Sequence, residues 1–294
     1  MKHLMARLAF LLVFLTTACY QELLPDAAIP EVTSVMTGGP NPPLQTASVP
    51  ATPTSAFSPA QALAAGPIHI IVIGDDFAHG DGDTSGRGYP GRLIELVNQI
   101  RPGSTMVNFA RSGWTSDDLL AGERESPSQV DLAAAEVASA FLQRRAAVVL
   151  VWVGGNDLWE LYTGATEVTA MQEKQDVSRF TKNVDEVLHS LRETGAEVII
   201  ARLDDQSQRP AKSRSEVYPD ITADELLRMS AQVRQYNGVI SSKAEEYGAL
   251  TVDFYDSDIF ISDATLAADG FHPNPAGYDL IAQAWYKVLI KILP

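Results

Sequence analysis

Ile71-Val72-Ile73-Gly74-Asp75-Asp76 is the stretch on which the reading of this chain turns. A β-branched apolar run that stops at a glycine and opens into acidic residues reads as a buried strand that delivers polar side chains to a loop. Four further runs, at 106–109, 147–153, 197–201 and 250–254, have the same short, nearly continuous apolar character. Strands covered on both faces look like this. Between them, 89–100, 130–142, 177–191, 223–247 and 276–293 carry apolar residues at helical spacing, the last with Leu280, Ile281, Trp285, Leu289 and Ile290. Strands alternating with helices predict an α/β fold, a doubly wound parallel sheet of five strands with helices on both faces. In such sheets ligands bind beyond the carboxyl ends of the strands, at the point where the strand order reverses.

The residues that follow those strands are polar and rich in glycine. After the first come Gly74, Asp75, Asp76, Phe77, Ala78, His79 and Gly80; after the second, Asn108-Phe109-Ala110-Arg111-Ser112-Gly113-Trp114; after the third, Gly154-Gly155-Asn156-Asp157. Before the last helix stands Asp269-Gly270-Phe271-His272-Pro273. A lone Gly-Asp-Asp carries no information, but four blocks each placed at the end of a strand or the start of a helix are specific. In order and spacing they resemble the signature blocks of the SGNH or GDSL hydrolase family, across essentially all of residues 68–294.

That resemblance implies a flavodoxin-like α/β/α sandwich with strand order 2-1-3-4-5 and an activity of the carboxylic-ester hydrolase class, lipase or esterase. It also implies roles. His272 corresponds to the imidazole that takes the proton from the nucleophile, and Asp269 to the carboxylate that orients it. Three groups would donate to the oxyanion: the backbone N–H at the nucleophile position, the backbone N–H of Gly113 and the amide of Asn156. The nucleophile position departs from the pattern, because the family's serine is replaced by Asp76.

The replacement bears directly on activity. Loss of a triad nucleophile costs on the order of a millionfold in rate, and a carboxylate attacking an ester would form a mixed anhydride from which the alkoxide returns more readily than it departs. Asp76 therefore argues against ordinary serine-type cleavage. Two other readings follow: a non-catalytic binder of an acylated carbohydrate or lipid, or a hydrolase that uses Asp76 as a covalent nucleophile toward saturated carbon. Ser85 and Ser112, the nearest hydroxyls, read as turn residues. The acidic loop Asp75, Asp76, His79, Asp81, Asp83 lacks the spacing and distal glutamate of a calcium loop, so neither metal nor cofactor is expected. Trp114, Trp159 and Tyr162 fall near the expected mouth, 158–175 is long enough for a substrate loop, and 206–215 reads as a solvated connection.

The N-terminus has a separate organisation. Lys2 and Arg7 precede the apolar run Leu8–Leu15 and the small residues Thr16, Thr17 and Ala18, the layout of an export signal over 1–18. Cys19, the sole cysteine, follows at once, so no intramolecular disulfide can form. Leu15-Thr16-Thr17-Ala18-Cys19 resembles a bacterial lipobox with Leu15 displaced by one place. This implies lipid attachment at Cys19 and residence in the cell envelope, with plain secretion as the alternative. Residues 19–66 are rich in Pro, Thr, Ala and Ser and read as a flexible tether, leaving 67–294 as the folded domain. The chain carries a formal charge of −15. A field of that sign repels nucleic acid; the family resemblance implies a small-molecule ester, or an acylated glycan or lipid, as the ligand class.

Overall fold

A computed structural model of the chain describes residues 57–123, 126–163, 167–213 and 221–294. The expected export signal, Cys19 and the tether as far as residue 56 lie outside the described residues. Strand β1 (Ile68–Gly74) is buried along its length except at His69, as its apolar run requires. A short helix α1 (Asp76–His79) and helix α2 (Gly88–Ile100) lead to β2 (Thr105–Asn108). Helices α3 (Ser116–Ala121) and α4 (Gln129–Leu142) precede β3 (Ala146–Trp152), and α5 (Gly155–Tyr162) and α6 (Ala170–Glu193) precede β4 (Glu197–Arg202). Helix α7 (Ala223–Glu246), β5 (Leu250–Asp253) and α8 (Pro275–Leu289) complete the order.

All strand pairs are parallel and the sheet order is β2-β1-β3-β4-β5. This is the doubly wound α/β sheet that the sequence predicts. Helices α2 and α8 pack together against one face, while α4, α6 and α7 pack in succession over the other. The order reverses between β1 and β3, whose register runs from Ile68 against Ala146 to Gly74 against Trp152. Both strands therefore end level, and the loops that follow them open side by side.

Aromatic side chains fill the layer between the sheet and the α2/α8 face. Trp152 stacks on Phe254 with centroids 4.3 Å apart, and Tyr89 stacks on Trp285 at 5.2 Å. On the opposite face Phe180 stacks on Tyr236 at 3.8 Å.

Three expectations are corrected. Residues 57–66, read as the end of the tether, lie against the domain: the Phe57 ring packs on Tyr247 and His189, Gln61 N–H donates to Glu197 Oε1 (3.2 Å), and Leu63 N–H donates to Ile292 O (2.8 Å). The prolines concealed two apolar anchors, Phe57 and Leu63, so the ordered part begins by Phe57 rather than at Pro67. The segment 158–175 is largely helical, divided between α5 and the first turns of α6, which starts seven residues earlier than its apolar spacing suggests because Thr169 and Gln172 form a capping box. The stretch 206–215 is not a solvated connection over its described part, since Gln206, Ser207, Arg209 and Ala211 are all buried.

Trp152 is fully buried where β3 meets the site. Trp152→Ala is expected to lower unfolding free energy by about 3–5 kcal/mol, through lost transfer energy and the cavity left behind. Urea denaturation followed by far-ultraviolet circular dichroism checks this.

Candidate active site

The site begins with the turn that ends β1. Gly74 has φ +147°, and a Cβ there would lie 2.0 Å from the carbonyl oxygen of Trp152, so only glycine lets β1 and β3 approach this closely. Gln129, fully buried on α4, donates to Gly74 O (3.1 Å) and accepts from Gly74 N–H (2.7 Å). Asp75 N–H donates to Trp152 O (3.0 Å), and the Asp75 carboxylate caps α1 by accepting from Phe77 N–H (3.2 Å). Burial, with the charge of Asp76 adding to it, pushes the Asp75 carboxyl well above the usual range. Asp75 is thus a cap that resists ionisation, and Asp76 is the residue presented to the pocket.

Asp76 is held at both oxygens. Its Oδ1 accepts from Gly113 N–H (2.9 Å) and its Oδ2 from the Asn156 side-chain amide (2.6 Å). Asn156 also donates to Trp114 O (3.1 Å), which ties the loop after β3 to the loop after β2. A second tie lies beneath: the buried Asp157 accepts from Ser116 N–H (2.9 Å) and Ser116 Oγ–H (2.6 Å), and Asn183 on α6 donates to the same hydroxyl. Burial pushes the Asp157 carboxyl up to about 6, against the pull of these donors and of Arg179.

The fourth block forms a tight loop before α8. Asp269 Oδ1 accepts from the N–H groups of Phe271 (2.8 Å) and His272 (3.0 Å), while Oδ2 pairs with His272 Nδ1 (2.7 Å). Burial alone would raise the Asp269 carboxyl, but these bonds outweigh it and hold it below its ordinary value. Gly270, at φ +67°, allows the turn, and Asn274 caps α8 while donating to Ala264 O and Leu266 O. Below the loop, the fully buried Arg209 makes a bidentate pair with Asp204 and lies over the rings of Phe77 (4.7 Å) and Phe271 (4.3 Å).

The structure therefore gathers Asp76, Gly113, Asn156, His272 and Asp269 at the carboxyl ends of β1 and β3. A cavity of about 240 Å³ is lined by Asp76, Asn156, Trp159, Asp269, Phe271 and His272. Among the described residues no serine hydroxyl is hydrogen-bonded to His272: Ser85 bonds Asp83, and Ser112 faces His79. Of the three aromatic residues expected near the mouth, Trp159 alone lines the cavity. Trp114 is buried, and so is Tyr162, whose hydroxyl bonds Glu173. Sequence reasoning missed Gln129 and Arg209, since neither glutamine on a helix nor arginine in a polar stretch signals burial; the aromatic residues around Arg209 are scattered through the chain.

Fold and site together define an SGNH-type α/β/α domain with one altered position. The chain belongs to the GDSL-like lipase/acylhydrolase family, whose sequence profile matches residues 72–280. A relative from Bacillus subtilis (strain 168), the uncharacterized protein YpmR, is 25% identical over 231 residues, which cover 76% of this chain and 82% of that protein. Among solved structures, a mutant of Axe2, an acetyl-xylooligosaccharide esterase from Geobacillus stearmophilus, is similar with a TM-score of 0.51 and 20% identity, covering 76% of this chain and 94% of that one. The lipase Lip_vut3 from goat rumen metagenome gives 0.54 and 18%, covering 75% and 96%. At these identities the two structures show the shared fold.

Beside the pocket, the loop 80–88 hangs on Asp83. Its buried carboxylate accepts from Arg92, Ser85 and Gly88 N–H, and these partners overcome burial to hold it well below the usual carboxylate range. A depressed carboxyl stabilises the fold above its unfolded value near pH 3.9, and that contribution fades as the pH falls toward the folded value. Asp83→Asn is expected to cost about 3 kcal/mol at pH 7, with the difference from native shrinking below pH 4. Urea unfolding at pH 7 and pH 3 tests this.

Proposed function

We propose that this chain binds an ester-bearing or acylated small molecule in the switch-point pocket and does not cleave it by serine-type attack. One observation carries the reading: each oxygen of Asp76 already takes one of the donors that would receive an oxyanion, Gly113 N–H and the Asn156 amide, two of the three that the family pattern implies. Such donors are worth roughly 3–4 kcal/mol each when they meet charge that develops only in the transition state. Here they meet a charge that is present before substrate arrives. Those two donors are then engaged before a substrate carbonyl can reach them, and among the described residues no serine hydroxyl is hydrogen-bonded to His272 to be activated. The small cavity volume suits a short acyl group, and Trp159 set edge-on to Phe271 (5.4 Å, 74°) offers a flat apolar wall of the kind that packs on a sugar ring. The family, and the esterase and lipase that share the fold, support an ester as the ligand class.

The native protein, His272→Ala, Asp76→Ser and the double variant Asp76→Ser/His272→Ala are compared on a short activated aryl ester in the presence of a chelator. Native protein is expected to be silent, Asp76→Ser to gain activity at least a hundredfold above it, and the double variant to lose that gain. Native activity that disappears in His272→Ala overturns the reading.

We extend the proposal to location: the chain is exported by way of residues 1–18 and anchored by lipid at Cys19, with 20–56 as the spacer. Among the described residues no helix is long and apolar enough to cross a membrane, so attachment of this domain would fall to the lipid. Growth of an expressing bacterium with labelled palmitate is expected to label the native chain and leave Cys19→Ser unlabelled. Equal labelling, or none in either, would reject the anchor.

A further inference from the structure

The carboxylate at position 76 has a neighbour that the family pattern does not include. Asp81, in the loop that follows α1, brings a carboxylate oxygen to the same place, so that one donor atom each from Asp76, Asp81 and His272 lies within 4.8 Å of the others. These groups do not satisfy one another. Among the described residues neither carboxylate is hydrogen-bonded or ion-paired to the imidazole, whose Nδ1 pairs with Asp269. Because Nδ1 faces that carboxylate, the ring carries its proton there when neutral and leaves the Nε2 lone pair for a Lewis acid. The three groups thus surround a gap too wide for a hydrogen bond.

We propose that this gap is a binding site for a divalent transition-metal ion, held by Asp76, Asp81 and His272 Nε2. Two ligands on one zinc-sized ion at about 2.1 Å sit about 3.4 Å apart in tetrahedral geometry, so closure from the observed spacing needs shifts of about an ångström. The imidazole donor favours Zn²⁺ over the harder Ca²⁺ and Mg²⁺, and the two carboxylates also admit Mn²⁺.

Support from outside the cluster is present for every ligand, as metal sites require. His272 is oriented by Asp269. Asp76 is oriented by Gly113 N–H and the Asn156 amide. Asp81 Oδ1 is paired with His79 Nδ1 (2.6 Å), its carbonyl accepts from the Tyr278 hydroxyl (2.7 Å), and the neighbouring Gly82 lies so close to the His272 loop that a Cβ would meet His272 Cβ at 2.7 Å. The last contact holds the 81 and 272 segments together. Among the described residues no lysine or arginine is paired with Asp76 or Asp81, so the two carboxylates share the pocket edge without a fixed cationic side chain between them. A cation would neutralise that charge and leave coordination positions open toward the cavity. The sequence expectation of no metal rested on the absence of a contiguous loop motif, whereas these ligands come from two distant parts of the chain.

The inference goes beyond the ester-binding reading and does not depend on it. The full chain, without an affinity tag and stripped by chelator, is titrated calorimetrically with ZnCl₂ and separately with MnCl₂, and its melting temperature is recorded with and without metal. One equivalent is expected to bind with micromolar or tighter affinity and to raise the melting temperature. His272→Ala and Asp81→Asn are each expected to weaken binding at least tenfold, and Asp269→Asn, which acts through His272, by 10- to 100-fold. Circular dichroism confirms that each variant is folded, and Asp81→Asn, the most conservative change, decides the matter should His272→Ala unfold. No saturable binding, or binding of equal strength in native protein and Asp81→Asn, overturns the site. Because the ester assay of Asp76→Ser is run in chelator, either proposal can fail without the other.

Discussion

The closest constraint in the molecule is the contact of two strand ends. Gly74 and Trp152 lie in register, and the Trp152 carbonyl leaves no room for a side chain at 74 while accepting the N–H of Asp75. That approach sets the direction in which the chain leaves β1, and with it the place of Asp76. A residue with a Cβ at 74 would push β1 from β3 and separate Asp76 from Asn156, which stand on the two strands' following loops. The core below serves the same contact: Trp152 stacks on Phe254 and lies against Phe77 and Tyr89, so the carbonyl that positions Asp75 belongs to a residue packed by three rings.

Given that frame, the consequence of a carboxylate at 76 is electrostatic before it is kinetic. A hydroxyl in this place would leave Gly113 N–H and the Asn156 amide facing solvent or substrate, ready for a charge that forms during reaction. A carboxylate takes both donors in the ground state, and charge-assisted bonds of this kind are about twice as strong as neutral ones. The donors then stabilise the resting protein rather than a transition state, which is the opposite of what differential binding requires of a catalyst. The machinery around position 76 is nonetheless complete, down to the Asp269–His272 pair and the ties through Asn156 and Asp157. Bracing of this kind fixes the shape of the pocket, which is what the proposed binding role requires.

The sheet and the main site residues were legible because each rests on a local signal. Five apolar runs announced five buried strands, and the four polar blocks sat where a switch point would gather them. What escaped notice depended on long-range placement. Gln129 reads as an ordinary helix-start residue, yet it satisfies both backbone groups of Gly74 from across 55 positions. Arg209 sits in a polar and charged stretch, and its burial follows only from Asp204 beside it and from Phe77 and Phe271, contributed by opposite ends of the domain. Phe57 was hidden for a compositional reason: prolines upstream mask the point at which apolar anchors resume.

Asp81 shows the same limitation in a form that matters for chemistry. Along the chain it is one of several acidic residues in a glycine-rich loop, and no spacing rule distinguishes it from Asp83 two positions on. The fold separates them decisively. Asp83 turns inward to Arg92 and becomes the buried peg of its loop, whereas Asp81 turns toward Asp76 and His272. Alternation of this kind is what a turn imposes on successive side chains, and here Gly82, at φ +83°, makes the reversal between them. One acidic residue thus holds the loop in place and the other is carried by it to the pocket. The anionic character of the site is accordingly a property of the loop's conformation as much as of the substitution at 76.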